Sequence, residues 1–248
     1  MTEALTLSAI QYQPLAGGIV PNVEEHVRLI EDAESHGARL VIFPELSLTG
    51  YDLASLSTDE AWLRPDDPRL GDLHEICRRT GITAVAGAAY RESDGTPRLA
   101  TLAIHPGGVT DFGFTAHLRG PEQELFTSGN RALILELDGW HVALASGADA
   151  SDPLRPTEAA LAGADIYAVP AVYTVEEEPR LALHLGATAM DHKMFGVLAN
   201  LGGVTPLGRS CGLSGFWGPG GHRMEHAAGT GTEVVTAVLQ RGALRKFR

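Results

Sequence analysis

The chain has 248 residues, 44% of them hydrophobic and 20% charged, and carries a formal net charge of −12. That length accommodates one large core, and no Pro/Gly/Ser-rich linker divides it, so residues 1–248 read as a single domain. The acidic field repels phosphate backbones and anionic bilayers, which argues against nucleic acid and membrane as partners, and no run approaches the roughly 20 apolar residues of a membrane span.

The opening Met-Thr-Glu is acidic where a secretory signal needs base, which predicts a cytoplasmic protein. Cys77 and Cys211 are the only cysteines and neither belongs to a Cys/His cluster, so no disulfide framework or zinc site is expected. The glycines at 202–203 and 218–221 lack the strand-to-helix fingerprint of a dinucleotide or phosphate loop. No metal and no cofactor is expected.

Leu5 to Gln11 alternates as a strand does, and Asn22 is placed to cap a helix whose apolar positions Val23, Val27, Ile30 and Ala33 precede Gly37. Arg39 to Phe43 is nearly all apolar, the pattern of a strand buried on both faces, and completes a βαβ unit. A helix is predicted from about Arg69 to Thr80, ended by Gly81, followed by strands at 83–87, 99–105, 109–115, 132–137 and 141–146 between turn signals. Helices at 157–162 and 180–193 alternate with strands at 165–170 and 195–200, and a glycine-rich strand segment follows. The basic tail from Arg241 to Arg248 reads as a frayed end. Alternating α and β elements with inserted hairpins predict an α/β protein built from two mixed sheets packed face to face, with helices outside.

Phe43-Pro44-Glu45 with Gly50-Tyr51 resembles the first signature of the nitrilase (carbon-nitrogen hydrolase) superfamily, in which the glutamate ends a buried strand and acts as general base. His117, Glu122, Phe126 and Gly129 resemble the segment that carries the family lysine and a supporting glutamate. Gly139 to Asp149 with Pro153 resembles the nucleophile strand, and residues 187–200 and 212–220 resemble the late helix, strand and turn. The resemblance implies a four-layer αββα sandwich and a homodimer. It also locates two departures. Thr115 stands where the family lysine stands, two residues before His117, and the only lysines are Lys193 and Lys246. Eight residues on from Gly139 and six back from Pro153 both lead to Gly147, where the family has its nucleophilic cysteine.

A thiolate, a base and a fixed cation are needed for the family reaction, and two of these are missing. Glu45 remains as the acid/base candidate, its ionised form disfavoured at the end of an apolar strand. His117 and Glu122 are candidates for a second proton carrier and an orienting carboxylate. Tyr51, Thr115, Ser146, Gly147 and Asp149 complete the expected pocket, with Asp149 in a structural hydrogen bond and Tyr51 in the core with its hydroxyl satisfied. Ser146 is the substitute nucleophile closest in sequence, although alternation along its strand points it away from the pocket. Gly147 is expected to enlarge the site and admit a substrate group where sulfur once stood. Two functions follow: a repurposed non-thiol enzyme acting on a small polar metabolite, or a catalytically inactive binding or scaffold protein. Ordinary amidohydrolysis by an unrecognised nucleophile ranks third.

Overall fold

The computed structural model describes residues 2–130 and 132–248. In chain order the elements are β1 Ala4–Gln11, α1 Ile19–Ser35, β2 Leu40–Ile42, α2 Gly71–Thr80, β3 Thr83–Arg91, β4 Pro97–Ile104, β5 Thr110–Phe114, α3 Glu122–Leu125, β6 Leu133–Leu137 and β7 Trp140–Leu144. There follow α4 Leu154–Leu161, β8 Ile166–Ala171, α5 Glu178–His192, β9 Phe195–Asn200, β10 Val204–Thr205, β11 Gly208–Arg209, β12 Gly215–Trp217, β13 Arg223–His226, β14 Glu233–Gln240 and α6 Arg241–Phe247.

Two six-stranded sheets run in the orders β14-β1-β2-β3-β4-β5 and β13-β12-β9-β8-β7-β6. Each is mixed: β1, β2 and β3 are parallel, as are β7, β8 and β9, while hairpin partners extend both sheets antiparallel. The inner faces meet in one apolar layer that includes Leu7, Ile42, Val85, Val142, Ile166 and Val197. Burying each such side chain is worth about 1.5–3 kcal/mol relative to leaving it in water. Outside the first sheet lie α1 and α2, and outside the second lies α5, packed through Leu181, Leu185 and Ala189. The result is the expected αββα sandwich.

Local chemistry shifts several boundaries. Asn22 does not cap α1. Gly18, at φ 79°, is the N-cap, and Asn22 lies buried in the first turns, where its side chain donates to the carbonyls of Gly18 and Leu15 and accepts from Leu15 N–H. A buried amide that turns back on the preceding loop serves the helix start as well as a cap would, one turn later. β3 runs on to Arg91 because β4 pairs with it along its whole length, from Ala84 opposite Ile104 to Arg91 opposite Pro97.

The tail is not frayed. α6 docks through Arg241 and Arg248, whose guanidiniums bridge the buried Asp165 at 3.3 and 2.7 Å, and Arg241 also lies over the Trp140 ring. Removing one member of a buried charge set leaves the others uncompensated. Asp165→Asn is expected to cost about 1–2 kcal/mol, discounted because Arg248 is half-exposed. Urea unfolding measures this, and faster tryptic cleavage at Arg245 would show that α6 is the part released.

Candidate active site

The site lies beyond the C-terminal ends of the parallel strands. There the sheets are joined where Tyr12 N–H donates to the Asn200 carbonyl and Gly202 N–H donates to that of Tyr12. Glu45 sits in the turn that leaves β2. That turn is fixed from three sides. Phe43 N–H donates to Val85 and Leu48 N–H to Gly87, while Ser47 and Thr49 hydroxyls accept from the N–H groups of Gly87 and Ala89. Ser47 also bonds His26 Nε2, whose ring stacks on Phe43 with centroids 3.9 Å apart. Gly87 makes the approach possible: a Cβ there would stand 2.3 Å from Leu46 N and 2.7 Å from the Pro44 carbonyl oxygen.

Held this way, Glu45 is 2% exposed, and its Oε2 is buried without a hydrogen-bond partner. Burial is the main reason its pKa is pushed up to about 8; the charges of Glu122 and Asp149 raise it further and Arg119 opposes them. Glu122, also buried, accepts from the Tyr51 hydroxyl and from the backbone N–H of Arg119 at 2.9 Å. Burial and the facing Glu45 and Glu122 raise the Tyr51 hydroxyl pKa far above its ordinary value.

The chain from Thr115 to Glu122 supplies the second wall. Asp149 accepts from the N–H groups of Ala116 and His117 at 3.0 and 2.8 Å, and from His117 Nδ1 at 2.7 Å. His117 Nε2 faces Asp152 at 3.7 Å, and the ring is half-exposed. His117 is therefore attached to Asp149, whereas Glu122 is the carboxylate beside Glu45. Thr115 Oγ1 and Ser146 Oγ share a hydrogen bond of 3.0 Å. Ser146 lies beyond the end of β7, in extended backbone before the turn Gly147–Ser151, so its position is set by that turn and not by strand alternation.

Gly147 corrects one expectation: it does not leave open space. Its φ is +54°, and a Cβ built on it would lie 2.1 Å from Glu45 Oε2 and 3.0 Å from the carboxyl carbon. The Glu45 carboxyl has taken the room. Neither thiol is activated: Cys77 is fully buried in α2 with its pKa raised to about 12 by burial, and Cys211 is raised to about 11 by burial and the charge of Glu178.

Arg119 joins the site although no motif marks it. Burial works against its charge, and the facing Glu45, Glu177 and Glu122, with Tyr173, more than offset this, so its pKa is raised. Its Nη1 lies 3.4 Å from Glu177 Oε1. A signal was present, since Arg119 is the only Lys or Arg between Arg98 and Arg131 and lies between His117 and Glu122. Among the described residues no group of three or more His, Cys, Asp or Glu side chains is placed to hold a metal ion. The arrangement offers a buried carboxyl with a raised pKa, a nearby guanidinium and a hydroxyl-bound carboxylate, parts suited to proton transfer.

Comparison with known proteins agrees with this architecture. The carbon-nitrogen hydrolase family model matches residues 6–248. The nitrilase of Pyrococcus abyssi is 27% identical over 230 residues, covering 92% of this chain and 86% of that protein. The hydrolase in the pqqF 5'region of Pseudomonas protegens is 25% identical over 218 residues, covering 87% and 76%. Among solved structures, a Saccharomyces cerevisiae member of the nitrilase superfamily superposes with a TM-score of 0.91 at 17% identity, covering 100% of this chain and 94% of that one. An amidase from Nesterenkonia sp. AN1 gives 0.86 at 21%, covering 98% and 96%. The solved structures carry the fold and the family model carries the lineage: the chain belongs to the carbon-nitrogen hydrolase family.

Proposed function

We propose that this family member has left thioester chemistry and uses Glu45 for acid/base catalysis on a small polar metabolite bearing an amide, amine or carbamoyl group. The observation that carries this reading is the Glu45 carboxyl itself, buried, unpartnered at Oε2 and packed against Gly147, the position that sequence counting assigns to the family cysteine. Burying an acid without a partner costs stability. A proton-transfer role accounts for keeping it. Protonated Glu45 would deliver a proton to a leaving nitrogen or, once ionised, take one from water, with Arg119 holding negative charge that develops beside it.

The test is conversion of a panel of amides, N-carbamoyl compounds and amines, followed by mass spectrometry in wild type and Glu45→Gln, with and without iodoacetamide. The expected result is conversion that survives alkylation and falls by about 10²-fold or more in the variant. Conversion abolished by iodoacetamide would return the protein to thiol chemistry. One observation favours a second reading as a non-catalytic binding protein: Glu45 is 2% exposed, so a substrate reaches it only if the surrounding wall moves. Silence from both proteins across the panel would select that reading.

A further inference from the structure

A cavity of about 320 Å³ lies on the outer face of the first sheet, over β3, β4 and β5, walled by the segment from Leu63 to Gly71 and the first turn of α2. It shares no residue with the acid cluster, and its size falls at the lower end of small-molecule sites. The wall is fixed without a ligand. Leu63 takes the place beside β3 that β2 leaves: its N–H donates to the Ala89 carbonyl and its own carbonyl accepts from Arg91 N–H, both at 2.9 Å. Arg69 ties the rest together, with Nε and Nη2 donating to Asp67, Nη2 also to the Trp62 carbonyl, and Nη1 to that of Glu60. A site whose walls are already ordered spends little on ordering when it binds.

The floor is aromatic. The rings of Tyr90 and Phe112 line the cavity with centroids 4.7 Å apart, and the half-buried Phe114 continues the ledge 6.1 Å from Tyr90. At its Phe114 end the ledge already carries a cation: Arg98, paired with Glu92 at 2.6 Å, places Cζ 5.4 Å from the ring centroid. The cavity end offers the same chemistry. Its charges leave an acid in excess, since Arg64 is paired with Asp59 at 3.4 Å and Asp67 with Arg69 at 2.6 Å. Asp66, exposed at the rim, enters no ion pair among the described residues. Burial first, then the charges of Glu92 and Asp66, raise the pKa of the Tyr90 hydroxyl, the sign expected of a negative field on this wall. The helix start at Pro68 does not reverse that field. Its N–H groups are taken: Arg69 N–H by the Asp67 carboxylate, Leu70 N–H by the Asp67 carbonyl and Gly71 N–H by that of Pro68. His74 Nε2 lies 3.5 Å from Thr110 Oγ1. An ammonium group gains from the ring faces and from Asp66, whereas an anion meets both as repulsion.

We propose that this cavity is a second ligand site, separate from the acid cluster, that binds a small free organic cation, its ammonium group over the Tyr90 and Phe112 rings and facing Asp66. The site stands whether or not Glu45 is an acid/base group. Isothermal titration with probes of one shape and different charge tests it: choline, its neutral carbon analogue 3,3-dimethylbutan-1-ol, and the anion 3,3-dimethylbutanoate. Choline is expected to bind roughly tenfold or more tightly than either of the others. Phe112→Leu removes a ring while keeping apolar bulk, and Asp66→Asn removes the charge at φ 55°, a conformation that asparagine tolerates. Each should weaken choline by roughly threefold or more, with cooperative melting retained. Equal binding of the alcohol, preference for the anion, binding of none of the probes, or unchanged choline binding in either variant would overturn the site. Phosphatidylcholine vesicles present the same group on a surface. They are expected neither to sediment the protein nor to displace choline, and displacement would overturn the assignment to a free ligand.

Discussion

The stability of Glu45→Gln relative to the wild type is expected to rise by roughly 3–5 kcal/mol between pH 4 and pH 8.5. The sign follows from the direction of the shift. The folded-state pKa of Glu45 is raised from 4.5 to about 8, by burial first and then by Glu122. Below pH 4.5 the carboxyl is protonated in both folded and unfolded chains and carries no penalty. Between 4.5 and 8 the unfolded chain ionises while the folded chain stays neutral, so each pH unit removes about 1.4 kcal/mol, and above 8 the loss is complete. Glutamine cannot ionise and removes that slope. His26 supplies an internal contrast. It is fully buried, and burial lowers its pKa from 6.5 to about 3, so it gives a slope of opposite sign between those values. In the wild type the two slopes offset each other between about pH 4.5 and 6.5; in Glu45→Gln only the His26 slope remains there. Urea midpoints at half-unit pH steps would show the two curves diverging steadily above pH 4.5. Parallel curves would mean that Glu45 ionises as a solvated carboxyl does, and the acid/base proposal would lose its main support.

How much of this was legible in the sequence depends on the distance between the parts. The buried strand ending in Phe43-Pro44-Glu45 is a local pattern, and it placed Glu45 correctly at the exit of β2. The partners that define its chemistry are not local. Tyr51 meets Glu122 from 71 residues away, Asp149 meets His117 from 32, and the last arginine reaches Asp165 across 83. Composition made the tail from Arg241 look like a solvated charge run, because the buried acid that receives it gives no sign in that segment. β14, by contrast, is a local pattern: Val235, Ala237 and Leu239 alternate inward as in a half-buried strand. Arg119 shows a further limit. The lysine is missing at position 115, yet a guanidinium four residues on still acts on Glu45 from another point of the loop.

Gly147 is where the sequence pattern and the fold bear on each other most directly. Gly147→Ala is expected to destabilise the protein by about 2–4 kcal/mol. Roughly 1–2 of this comes from placing a side chain in the left-handed region at φ +54°, and the rest comes from overpacking. The overpacking has one source, the Glu45 carboxyl, whose Oε2 would lie 2.1 Å from the new Cβ. That carboxyl ends a flexible side chain, and its burial, at 2% exposure, is what limits how far it withdraws. A double-mutant cycle separates the two contributions. In a Glu45→Ala background the same Gly147→Ala change should cost only the backbone strain, giving a coupling of about 1–2 kcal/mol in urea unfolding. Additive costs would show that the carboxyl lies elsewhere. The same geometry predicts that Gly147→Cys does not restore thiol chemistry. A cysteine there meets Glu45 before it meets any substrate, so the variant should release no ammonia from amides above the parent protein. A return to the family reaction would require the glutamate to retreat as the thiol enters, which ties the identity of residue 147 to the present position of Glu45.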